Sequence, residues 1–216
     1  MTGGDIIVQG GNSVASTGGR VVLKSGGSGA AQSGDVQILS SASDSGDSGA
    51  IEMIVGSSTS AALTSGNVNI VTGSSISESG EIKLKAGTSS TNNGGDIAIE
   101  SGFGGQSGGN VLIQSGVSDI GKGGSILLQT GESASSGSIS VSTGIASVGA
   151  SGGITLNTGS SVAGSSGSVS IATGQSSTSG ADIQLIAGDS SSATNGGSIL
   201  VQSGESMSGT GGAIHI

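Results

Sequence analysis

A chain of 216 residues with 46 glycines, no proline, no cysteine, no tryptophan or tyrosine and one phenylalanine, Phe103, lacks the aromatic side chains that usually build a thick core. Its formal net charge of −9, from 14 acids against 5 Lys and Arg, disfavours nucleic acid, which is bound through clustered basic residues; the acidity reads as a solubility device. No thiolate can hold a metal or a disulfide, no run approaches the ~18 apolar residues of a membrane span, and Met1 leads straight into the repeat described next without a signal-like segment.

In chain order a repeat begins at Gly3, Gly18, Ser33, Ser48, Ser65, Ser79, Gly94, Gly108, Gly123, Ser136, Ser151, Ser166, Gly180, Gly196 and Gly211. Its consensus is (Ser/Gly)-Gly-x-(Ile/Val)-x-(aliphatic)-x-(small)-Gly-x-Ser, followed by a variable stretch. The fourth position is β-branched throughout, from Ile6 and Val21 to Ile199 and Ile214, and the sixth is always aliphatic, from Val8 through Met53 to Ile216. Two apolar residues separated by one variable residue have the period of a strand and share one face of it. A linker has no reason to keep that order, although the Gly and Ser content alone would suggest one.

Glycine at both ends of the apolar run fits corners of the chain, and serine at position eleven fits a second, narrower strand whose hydroxyls hydrogen-bond from coil to coil. Insertions and deletions fall after that serine, in the stretch that reads as a solvent-facing loop. The expected fold is therefore all-β, a parallel β-solenoid (β-helix) of about fifteen short coils of 13–17 residues with two short strands each. It forms one continuous domain over residues 3–216, with residues 1–2 ahead of it.

No catalytic site is expected, and neither metal nor cofactor. His215 is the only histidine and sits at an outward position. The acids Asp5, Asp35, Glu81, Asp96 and Asp182 recur at position three, but Arg20, Ala50, Asn67, Ser125 and Gly153 interrupt the column, unlike a calcium-binding solenoid. Glu81 and Asp96 in successive repeats are expected to be neutralised by Lys83 and Lys85. On the outward face, stacking would place Leu39, Ile54 and Val71 in one aliphatic strip and Leu112 beside Leu127 in another, a candidate surface for lateral contact.

The Ser-Gly-x-Ile-x-Leu-x-Thr-Gly type of repeat, as in Ser136 to Gly144, resembles the Gly/Ser-rich tandem β-solenoid arrays of microbial and algal surface proteins and of phage fibre proteins, over the whole chain. That resemblance implies a non-enzymatic structural or adhesive module, a rigid rod-like spacer or self-assembling fibre segment, extracellular or surface-associated. Self-association, end to end or lateral, is the expected partnership, with ice or a surface glycan as further ligand readings. The alternative is an ice-binding solenoid of the insect antifreeze type. Its flat Thr-x-Thr array is missing here, and the nearest approach is the patch of Ser140, Ser142, Thr155, Asn157 and Ser170.

Overall fold

Each repeat is organised around its loop, and the serine at position eleven organises most of the loops. In a computed structural model, which describes residues 3–60, 62–191 and 195–216, the hydroxyl of that serine in most of these loops accepts the backbone N–H three residues later. Ser13 takes the N–H of Ser16 at 2.9 Å, Ser28 that of Ala31 at 2.9 Å, Ser43 that of Gly46 at 3.1 Å and Ser89 that of Asn92 at 2.9 Å. Ser118, Ser161 and Ser206 take those of Gly121, Gly164 and Gly209 at 2.9, 3.0 and 2.9 Å. These are turns in which a short hydroxyl side chain replaces a backbone acceptor.

Two repeats without the serine make the turn differently. At Gly104 the backbone folds so tightly that a Cβ would collide with the Ser107 carbonyl oxygen. In the repeat with Ala146, Gly149 takes a φ of +92°, a left-handed conformation that glycine adopts without steric cost.

A second device closes the base of some loops. The N–H of the glycine at position two donates to the carbonyl of the position-nine glycine of the repeat before it. The pairs are Gly19 to Gly11 at 2.7 Å, Gly34 to Gly26 at 2.9 Å, Gly95 to Gly87 at 3.0 Å, Gly109 to Gly102 at 2.9 Å, Gly124 to Gly116 at 2.9 Å, Gly197 to Gly188 at 2.9 Å and Gly212 to Gly204 at 2.9 Å. In this clamp the backbones approach so closely that a Cβ on Gly10 would lie 2.5 Å from the Gly19 oxygen, and one on Gly19 would lie 2.8 Å from the Gly11 nitrogen.

The expected β-solenoid is not formed. Among the described residues there is no strand and no helix, and no backbone hydrogen bond joins equivalent positions of successive repeats. The clamps join the two ends of a single loop, and the position-eleven serines bond within their own turn instead of forming a ladder along an axis. A stacked coil would have to order some fifteen residues, about a fifth of them glycine, around two obligatory aliphatic side chains and no aromatic. Backbone entropy weighs heavily against so little apolar surface, while Ser and Gly satisfy their polar groups locally or in water.

No side chain is buried among the described residues, and the chain exposes 21476 Å². A compact monomer of 19.9 kDa would expose about 9,000 Å² and its unfolded chain about 29,000 Å². The least exposed positions lie mainly at the clamps: Gly10, Ser25, Ala86, Ser115, Ala187 and Ser203 are half-covered, as are Gly104 and Thr130.

The chain divides into two units, Met1–Val111 and Leu112–Ile216. The first holds the clamps closing at Gly19, Gly34, Gly95 and Gly109, and the second those closing at Gly124, Gly197 and Gly212. The two start residues, Met1 and Thr2, lie outside the described residues.

Candidate functional site

Sidedness survives within the apolar run even though nothing is buried. Ile126 at position four is 60% exposed, whereas its neighbour Leu127 at position five is 82% exposed. Val36 at position four is 48% exposed, against 76% for Leu39 at position seven. Alternation of this kind between neighbouring positions is what an extended run with two faces would show.

Leu39, Ile54, Val71, Leu112 and Leu127 are all exposed. Their alignment into strips depended on stacked strands, and with no strand ladder nothing brings them together. Ser140, Ser142, Thr155, Asn157 and Ser170 are likewise exposed, and among the described residues none of them makes a side-chain hydrogen bond. A flat array of hydroxyls would need the same missing ladder.

Charge is dispersed. Lys83 Nζ lies 2.7 Å from Glu81 Oε1, an ion pair within one repeat, with both side chains largely in water. No ion pair ties Asp96 to Lys83 or Lys85 among the described residues. Among the described residues no three His, Asp or Glu side chains converge and no cavity is found. Phe103 is fully in solvent.

No family model, curated protein or solved structure matches the chain. The residues most able to act are therefore those the structure itself sets apart: the aliphatics at positions four to seven, displayed between loops.

Sequence reasoning assigned the wrong partner to the serine column and read position eight only as a small residue, without its link to loop closure. Both were open to a local reading. A serine two residues after a glycine, with its own turn ahead of it, is the pattern of a hydroxyl cap. Position eight alternates along the chain between Gly, Ser or Ala and Thr or Val in step with the clamps.

Proposed function

We propose that this chain is a non-enzymatic structural or adhesive repeat module that works by associating with further copies of itself through its aliphatic runs. The carrying observation is the persistence of alternating Ile, Val and Leu in every repeat, together with their exposure in the single chain. Fully burying one such side chain contributes about 1.5–3 kcal/mol, and here that contribution is not collected within the molecule. Association would cover both faces of each run, positions four and six on one side and five and seven on the other. Clamped and capped loops fit this role, because they hold the glycine-rich stretches in local turns and leave the aliphatic runs free to pair. Work at a cell or virion surface belongs to the same proposal and rests on the resemblance to surface and fibre arrays.

Sedimentation velocity over a wide concentration range tests it. The expected result is a series of species that grows with concentration and shrinks when Ile126, Ile139, Ile154 and Val169 are replaced together by Ser. A single monomeric species at every concentration would rule the reading out.

A further inference from the structure

We propose that Asn93 and Asn195 are self-modification sites, at which the chain converts asparagine to aspartate and isoaspartate through a cyclic imide. The proposal stands apart from the functional reading above. It rests on the loop closed by Gly87 and Gly95 and on its counterpart closed by Gly188 and Gly197.

Asn93 and Asn195 are the two asparagines followed by glycine; Asn12, Asn67, Asn69, Asn92, Asn110 and Asn157 precede Ser, Val, Ile, Asn, Val and Thr. Both are exposed, and each stands two residues before a clamp glycine. In the first loop the backbone N–H groups on either side are held. That of Asn92 donates to Ser89 Oγ at 2.9 Å, and that of Gly95 donates to the Gly87 oxygen at 3.0 Å. The N–H of Gly94, between them, makes no hydrogen bond among the described residues. The nitrogen that must act as nucleophile is thus left unengaged by the turn, as is that of Asn93, and it belongs to a residue with no Cβ to hinder its approach. The second loop shares the clamp side of the arrangement: Gly197 is clamped at 2.9 Å, and a Cβ on Gly196 would lie 3.6 Å from the Gly188 oxygen, as one on Gly94 would lie 3.5 Å from the Gly87 oxygen.

The chemistry needs only water. The Gly94 nitrogen gives its proton to solvent base and attacks Cγ of Asn93, forming the new N–Cγ bond. The Cγ–Nδ2 bond breaks and the amide nitrogen leaves as ammonia, which closes the five-membered imide. Water then opens the ring. Attack at Cγ returns an ordinary aspartate, whereas attack at the main-chain carbonyl leaves the chain running through the side-chain carboxyl as isoaspartate. The net change is one water consumed, one ammonia released and one negative charge gained at each site. Isoaspartate also inserts a methylene into the backbone between the Asn92 anchor and the Gly95 clamp. The modification therefore loosens the clamp beside it.

The test incubates the full chain in mildly alkaline buffer at body temperature and follows it by tryptic mass spectrometry. Cleavage after Lys85 and Lys122 places Asn93 and Asn110 in one peptide, and Asn157 and Asn195 in the next, so each site carries its own control. The amide-to-acid mass gain, with isoaspartate detected by enzymatic methylation, is expected several-fold faster at Asn93 and Asn195 than at Asn110 and Asn157. Asn93→Gln and Gly94→Ala should each suppress it at Asn93 and leave Asn195 unchanged. Hydrogen exchange at the Gly95 amide should quicken in the modified chain. Equal rates at all four asparagines, or acid formed without isoaspartate, would overturn the proposal; an unchanged Gly95 exchange rate would overturn its consequence for the clamp.

Discussion

The loop from Gly87 to Gly95 and the loop from Gly159 to Gly167 are each eight residues in span, each carries a position-eleven serine, and yet only the first is clamped. In the first, Ala86 precedes the opening glycine, and a Cβ on Gly95 would lie 3.4 Å from the Ala86 Cβ and 3.5 Å from the Gly87 nitrogen. In the second, Thr158 precedes it, and a Cβ on Gly167 would lie 3.6 Å from the threonine methyl and 3.7 Å from its Cβ. The contrast holds along the chain. Every clamp follows Gly10, Ser25, Ala86, Ser101, Ser115, Ala187 or Ser203, whereas Val55, Thr72, Thr130, Thr143, Thr158 and Thr173 precede loops with no clamp among the described residues. Ser40 is small but is followed by Ser41 in place of glycine, and its loop is also open. A β-branched side chain at the base of the loop holds the two backbones apart by its own volume, and one methyl group decides whether a hydrogen bond forms.

The largest effect should come from filling a clamp. Gly10→Val puts side-chain atoms where the Gly19 oxygen lies and abolishes the Gly19 to Gly11 bond, so the Gly19 amide is expected to lose its exchange protection entirely, measured by NMR. The cost is about 0.5–1.5 kcal/mol for the bond itself, with strain added. Persistent protection of Gly19 in that variant would show that the close approach does not depend on the missing side chain.

Interchanging the two loop types sharpens the comparison. Ala86→Thr alone should open the Gly95 clamp, and Thr158→Ala together with Ser166→Gly should create one at Gly167, each read as loss or gain of amide protection on the scale of one hydrogen bond, about 1 kcal/mol. Gly94→Ser should leave the clamp closed, because Gly34 is clamped behind Ser33. If Gly94→Ser opens it and Ala86→Thr does not, the entering residue, not position eight, governs closure.

Smaller still is the serine cap. Ser161→Ala removes the acceptor of the Gly164 N–H, held at 3.0 Å in an unclamped loop, and Ser118→Ala removes that of Gly121 in a clamped one. Each should cost at most about 1 kcal/mol of local stability in exposed turns, and faster exchange should stay confined to the turn. The Ser161 loop is expected to loosen more, since no clamp backs it.

The smallest effect concerns charge. Lys83→Ala removes the one ion pair among the described residues, and with both partners exposed the change should fall within about 0–1 kcal/mol and vanish in high salt. A larger, salt-insensitive loss would mean that Lys83 packs its stem against the chain.

Much of the local order was legible in the residues. The repeat boundaries, the loop positions after Ser13 or Ser118, and the two-sided run through Ile126 and Leu127 follow from spacing alone, since a period of two and a glycine at each corner leave few conformations open. The surface strips through Leu39 and Leu112 and the hydroxyl patch at Ser140 were not legible in the same sense. They were inferred from a stack, and a stack depends on contacts between residues some fifteen positions apart.

The sequence by itself therefore determined where this chain turns, which residue caps most of the turns and which loops can close, because hydroxyl caps, glycine clearance and β-branching act over a few residues. The tertiary structure alone decided whether the repeats assemble on one another, and they do not. Two aliphatic side chains per repeat leave little apolar area to set against the entropy of a glycine-rich backbone, and that balance is struck over the whole chain.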